Sequence, residues 1–182
     1  FFGDGAADEG VLYESINFAV LKKLPVLFVL ENNQYSVCSH VSARQKGDNV
    51  FHAMPEKLLF TKIIDGNDVL DVYDTARKAV KRAKAGHGPS FIECRTYRMT
   101  GHAGCQEQDT AGYRSDQEIA HWQKRCPIAA FRKRLRKEQW ITQIEINEME
   151  KKIKDEIADA FEFAIRSRTP APETLPLYLF RE

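Results

Sequence analysis

The chain has 182 residues, with 27 Lys and Arg against 26 Asp and Glu, a formal net charge of +1 and 43% hydrophobic residues. That balance gives no field to draw nucleic acid or an acidic membrane surface, and no apolar run approaches the roughly 20 residues of a spanning helix. The length suits one domain with a helical appendage, able to stand without disulfides.

Phe1 and Phe2 read as the end of a buried strand, and Gly3 and Gly5 as a tight turn after it. Residues 9–23 form a helix with Leu12, Ile16 and Ala19/Val20 on one face; Asp8 and Glu9 favour its start, Lys22 and Lys23 its end, and Pro25 stops it. The continuous apolar run Val26 to Leu30 is a strand buried on both faces. A polar, loop-like stretch follows from Asn32 to Asn49, then a short strand over Lys62 to Ile64. Asp68 caps a helix over 69–85 that turns Leu70, Tyr73, Ala76, Val80 and Ala83 inward, and Ser90 to Arg95 is another strand. This alternation implies a parallel sheet with helical crossovers. Residues 97–114 carry Gly101, Gly104 and Gly112 without a clear period, the mark of a functional or mobile loop.

Beyond it the chain reads as helices at about 116–124, 127–138 and 142–167, then an extended Pro-rich tail. Two regions are therefore expected: an α/β domain over 1–115 and a helical extension over 116–182. The last helix has an apolar stripe at Ile146, Met149, Ile153, Ile157, Ala160 and Ala164, suited to packing on the same domain or on a partner subunit. The four cysteines, Cys38, Cys94, Cys105 and Cys126, form no Cys-x-x-Cys pair and read as reduced thiols. Cys105 has no neighbour except His102 to act as a base, so a thiol nucleophile is disfavoured. His40, His52, His87 and His121 lack metal-ligand spacing. The basic run Arg132 to Lys137 is offset by acidic residues from Glu145 to Glu162 and has no interleaved aromatics, so it reads as a solvated face or an interface.

The chemistry concentrates in Gly3-Asp4-Gly5 and Asn32-Asn33. Alone, the first is a common turn. The segment between the two is long enough for a helical crossover, so Asp4 and Asn33 fall at the ends of neighbouring parallel strands. Open α/β sheets bind ligands at those carboxyl ends. A carboxylate and an amide oxygen facing one crevice suit Mg²⁺ carrying a diphosphate, with one nearby carbonyl completing the protein's share. The turn leads into a helix N-terminus whose free N–H groups suit phosphate oxygens, and Gly5 and Ala6 let phosphate approach the backbone.

Gly3-Asp4-Gly5-Ala6-Ala7 through Leu24-Pro25 and Glu31-Asn32-Asn33-Gln34-Tyr35 resembles the thiamine diphosphate signature, in the form carried by alpha subunits of the 2-oxo acid dehydrogenases of pyruvate, branched-chain and acetoin type. Glu93 to Arg98, Gly101-His102 and Tyr113-Arg114 are similar to the same family's strand and active-site loop, and the resemblance extends over about residues 1–168. It implies a thiamine diphosphate-binding fold of the diphosphate-binding type. It implies Mg²⁺ ligands at Asp4, Asn33 and the carbonyl of Tyr35, and diphosphate contacts at Gly5 and Ala6. His102 would be catalytic and cofactor-binding, donating a hydrogen bond to the diphosphate or to the reacting group. Glu14 and Asn17 also match the family pattern.

The implied function is oxidative decarboxylation of a pyruvate-like 2-oxo acid, or acetoin cleavage, with acyl transfer to a lipoyl acyltransferase. The implied partner is a beta subunit supplying the glutamate that activates the aminopyrimidine, in an assembly of two alpha and two beta chains. Cytoplasm, or mitochondrial matrix in a eukaryote, is the matching compartment. The alternatives are a transketolase-type thiamine diphosphate enzyme and a non-catalytic interaction protein that keeps the fold. Two departures stand out: Ala103 replaces the regulatory serine of mitochondrial members, and Cys105 to Thr110 differs from the usual pyruvate and branched-chain loops. The Phe-Phe-Gly-Asp opening reads as an N-terminally incomplete domain, without the upstream contacts to the diphosphate and aminopyrimidine.

Overall fold

The computed structural model describes residues 1–46, 59–103 and 112–178, and the chain divides into two compact units, Phe1–Arg132 and Lys133–Glu182. The first unit is built on a four-stranded sheet. Its strands are β1 (Phe2–Gly3), β2 (Leu27–Asn32), β5 (Phe60–Asp65) and β6 (Ser90–Arg95), in the order β1-β2-β6-β5. All three pairings are parallel, with Phe2 opposite Leu30, Leu30 opposite Glu93 and Ile64 opposite Cys94. The expected parallel α/β architecture is therefore present.

Successive residues of a strand point to opposite faces, and the two faces have separate cores. On one, α1 (Gly10–Leu21) lays Leu12 and Ile16 against Leu30, Phe91 and Leu59, with Phe2 and Phe28 packed beside them. On the other, α2 (Val69–Lys84) lays Ala79 against Ile64, Ile92 and Cys94. Leu30 and Phe91 are both fully buried, each worth roughly 1.5–3 kcal/mol of hydrophobic stabilisation. Strand β6 lies between β2 and β5, and its residues from Ser90 to Cys94 are all buried.

Helix α2 starts where expected: the Asp68 carboxylate accepts from the N–H groups of Leu70 at 3.0 Å and Asp71 at 3.4 Å. Its buried face is different. Ala83 turns inward as expected, but Thr75 and Ala79 take the other buried places, and Tyr73 and Val80 are exposed. Small side chains bring the helix axis close to the sheet, and the larger ones are left outside. Strand β2 also runs two residues past the expected run and buries only Leu30 and Asn32, and β5 is longer than the Lys62 to Ile64 core.

The stretch read as polar loop holds a short hairpin, β3 (Tyr35–Ser36) with β4 (Ser39–His40), followed by a 3-10 turn over Val41–Ala43. After β6 come α3 (Asp116–Gln123), capped by the Ser115 hydroxyl, and α4 (Pro127–Lys137). In the second unit α5 (Gln143–Arg166) begins with a capping box: Thr142 Oγ1 accepts from the Glu145 N–H, and Glu145 Oε2 accepts from the Thr142 N–H at 2.8 Å. These bonds to Thr142 hold the Glu145 carboxyl below its usual range. Of the α5 stripe, Ile146 is buried while Met149, Ile153 and Ile157 are exposed. The tail, expected to be extended, winds into a 3-10 segment over Pro172–Tyr178. No helix among the described residues is long and apolar enough to cross a membrane.

Candidate functional site

Asp4 follows the last residue of β1, and Asn32 and Asn33 lie at the end of β2, the strand paired with it. The two motifs therefore meet at the carboxyl edge of the sheet. Asp4 is 1% exposed. Arg44 Nη2 donates to its Oδ2, and Arg44 Nη1 donates to its backbone carbonyl at 3.4 Å. Its Oδ1 is buried and has no hydrogen-bond partner among the described residues. A carboxylate oxygen accepts only, and one shut away from water without a donor calls for an electropositive ligand.

The two asparagines divide their work. Asn32 is buried; its Nδ2 donates to Glu93 Oε1 at 2.8 Å, and its Oδ1 accepts from the Gln34 N–H at 3.0 Å. Asn33 Oδ1 accepts from the Tyr35 N–H at 3.0 Å. Both bonds are the two-residue reach of asparagine that builds a turn, and they hold Gln34 at a positive φ of 70°. An amide oxygen has two lone pairs, so Asn33 Oδ1 retains one for a cation.

Gly5 and Ala6 open a 3-10 turn over Ala6–Asp8 in which the Gly5 carbonyl accepts from the Asp8 N–H at 3.2 Å. Neither this turn nor α1 has a side-chain cap at its start, which leaves backbone N–H groups for an anion. A Cβ on Gly5 would lie 2.8 Å from Ser36 Cβ, so the glycine makes room for the β3–β4 hairpin. Glu14 and Asn17, farther along α1, are exposed.

Tyr35 stands in an aromatic and cationic cluster. Its hydroxyl donates to both Glu118 oxygens at 3.0 Å, and its ring lies 5.4 Å from Tyr113 and 6.4 Å from Tyr97. Tyr97 stacks on Trp122 at 5.2 Å, and the Arg114 guanidinium sits 5.2 Å from the Tyr97 ring and 5.9 Å from Tyr35. Burial, then the bond to Glu118, pushes the Tyr35 phenol well above its ordinary value. Burial likewise pushes Tyr97 up to about 12, against the opposing pull of Arg114.

His102 is exposed on the loop after β6, 3.3 Å through its Nδ1 from Arg98 Nη1. A guanidinium only donates, so Nδ1 is the acceptor and the neutral ring carries its proton on Nε2. Arg98 also donates to the Val37 carbonyl at 2.8 Å and to the Tyr113 hydroxyl. It thereby ties the His102 loop to the hairpin that follows Asn33. A cleft of about 370 Å³ opens at the ends of β2 and β6, lined by Asn32, Gln34, His40, Gln45, Lys46 and Arg95.

The structure thus brings Asp4, Gly5, Asn33 and Tyr35 to one sheet edge, with His102 tied to that edge through Arg98. Arg44 and Glu118 were not among the candidates, and Glu93 and Arg114 entered only as members of the family-like motif. Arg44 meets Asp8 and Asp4 across 36 and 40 residues, and Glu118 meets the Tyr35 hydroxyl across 83, separations that no spacing rule reads. Cys105, the Cys105 to Thr110 stretch and His52 lie outside the described residues. Among the described residues, no group of three or more His, Cys, Asp or Glu could hold a metal. Asp4 with an amide and a carbonyl is a different, oxygen-only donor set, the kind Mg²⁺ takes.

Residues 1–173 match the family described as Dehydrogenase E1 component. The chain is 37% identical over 183 residues to a pyruvate dehydrogenase E1 component subunit alpha of Porphyra purpurea, covering 100% of this chain and 52% of that protein. It is 35% identical to a subunit of the same name from Rhizobium meliloti, covering 98% of this chain and 50% of the relative. The human mitochondrial 2-oxoisovalerate dehydrogenase subunit alpha is 32% identical, covering 100% of this chain and 41% of the relative. The chain spans about half the length of these curated relatives, or less.

Proposed function

Because the chain belongs to the dehydrogenase E1 component family, we propose that it is the diphosphate- and Mg²⁺-anchoring part of the alpha subunit of a thiamine diphosphate-dependent 2-oxo acid dehydrogenase. The observation that carries this reading is the Oδ1 of Asp4, buried and without a hydrogen-bond partner among the described residues, beside the strand that leads into Asn33. Asp4 Oδ1, Asn33 Oδ1 and the Tyr35 carbonyl would hold Mg²⁺. The N–H groups of Gly5 and Ala6 would bind the diphosphate oxygens, the role that suits a helix start. His102, with its proton on Nε2, would donate to the same oxygens or to charge developing in the reaction.

Thiamine diphosphate, once bound, supplies the carbanion and electron-sink chemistry that lets CO₂ leave a 2-oxo acid. This chain's share is to bind, orient and neutralise. The relatives named for pyruvate and 2-oxoisovalerate support a 2-oxo acid substrate. The rest of the reading follows that family: a thiamine diphosphate-binding fold, a beta subunit that supplies the activating glutamate, an assembly of two alpha and two beta chains, and a lipoyl acyltransferase as acyl acceptor. The exposed stripe on α5 is assigned to partner packing. Free thiols at Cys38, Cys94 and Cys126 suit a reducing compartment, the cytoplasm or a mitochondrial matrix.

Titration calorimetry of thiamine diphosphate with Mg²⁺ on the assembled complex tests the site. Asp4→Ala and Asn33→Ala should each weaken binding by at least about 100-fold, because loss of a ligand exceeds the 10–100-fold effect of losing a supporting residue. Unchanged affinity in either variant rejects the assignment.

A further inference from the structure

Arg44 lies just past the Val41–Ala43 turn and is 40 residues from Asp4 in sequence, yet its guanidinium is spread across the candidate cation site. Nε donates to the Ser39 carbonyl at 3.3 Å. Nη1 donates to the Asp8 carboxylate and to the Asp4 carbonyl at 3.4 Å, and Nη2 donates to Asp4 Oδ2. Gln45 Nε2 holds the other Asp8 oxygen at 2.6 Å. The Arg44 side chain is only 15% exposed. A planar fork held at each nitrogen has little freedom to rotate, and through Nη2 it anchors one oxygen of the Asp4 carboxylate while Nη1 holds the same residue's backbone carbonyl.

The bonding is one-sided. Arg44 takes Oδ2 of Asp4 and leaves Oδ1 buried, with no partner among the described residues. Buried polar atoms are ordinarily satisfied, and an acceptor left open beside a satisfied one calls for a ligand such as an ion. One guanidinium between two carboxylates also leaves a single net negative charge, so the pair does not repel a cation. We infer that Arg44 is a positioning residue for the divalent cation: it fixes the rotation of the Asp4 carboxylate so that Oδ1 is presented to the metal. The inference rests on the reading of Asp4 as a metal ligand. A different role for the same contact makes the opposite forecast. If Arg44 merely filled the cation's place, removing it would tighten metal binding.

The test is Mn²⁺ affinity by electron paramagnetic resonance on the assembled complex with thiamine diphosphate present, with thermal unfolding followed in parallel. Arg44→Gln should weaken Mn²⁺ binding ~10–100-fold, the usual effect of removing a residue that orients a ligand. Arg44→Lys restores the charge without the fork and should fall between Arg44→Gln and the parent protein. If Arg44→Gln does not fold, the Lys variant carries the test by weakened binding at an unchanged melting temperature. Parent-like or tighter Mn²⁺ binding in a folded variant overturns the inference while leaving Asp4 as a ligand. A parent complex that takes up no Mn²⁺ overturns the reading of Asp4, and this inference with it.

Discussion

Gly5 shows how a residue can be required for a reason its type does not suggest. Its φ of −67° is one that any residue adopts, so backbone freedom is not the issue. The issue is volume, because an added Cβ would meet Ser36 Cβ at 2.8 Å. Gly5→Ala should therefore destabilise by about 1–3 kcal/mol, the usual cost of overpacking, and Ser36→Gly in the same chain should recover most of it. A double-mutant cycle by thermal unfolding checks this, and a neutral Gly5→Ala would refute it. The sequence marked Gly5 for phosphate approach; the hairpin that also needs its space is too short to announce itself. Asp4 and Asn33 were legible because strand, crossover and strand set their separation. Arg44 was not, since only the folded chain carries it back to Asp4.

The β3–β4 hairpin is the element that sequence patterning passed over. Two-residue strands have no alternation to detect, and the turn lacks the Asn-Gly or Gly signature that would advertise it. Its Val37 sits at φ 54°, where a β-branched residue is strained. The Arg98 bond to the Val37 carbonyl helps to hold it there. Val37 is exposed, so its side chain contributes little burial. Val37→Gly should relieve roughly 1–2 kcal/mol of left-handed strain and lose about 0.5–1 kcal/mol to the freer unfolded chain. The expected result is a small net stabilisation, read as a raised melting temperature; a clear fall would show that the hairpin depends on the valine side chain. Helix α2 failed in another way. Its limits and cap were readable, but its phase was assigned by hydrophobicity, when Thr75 and Ala79 face the sheet because they are small enough for a close approach.

Across the first unit, one cluster ties together parts far apart in sequence: Tyr35 after β2, Tyr97 after β6, Arg114 before α3, and Glu118 and Trp122 within α3. It holds the turn that carries Asn33 and Tyr35 to the segment that carries His102. Both phenols are needed as O–H groups, because Tyr35 donates to a carboxylate and burial penalises either anion. The pH dependence follows. An unfolded tyrosine ionises near pH ~10, whereas Tyr97 is pushed up to about 12 and Tyr35 is raised as well. Below about pH 10 both states keep the proton and the contribution to stability is complete. Between that pH and 12 the unfolded chain releases protons that the native chain retains, so stability falls as pH rises. Tyr35→Phe/Tyr97→Phe removes both titrating groups. The double variant should start less stable at neutral pH, having lost the bond to Glu118, yet its melting temperature should fall less steeply over this alkaline range. Equal slopes for the parent and the double variant would mean that the phenols ionise alike in the folded and unfolded chains. The cluster would then be packing without the proton dependence that its burial requires.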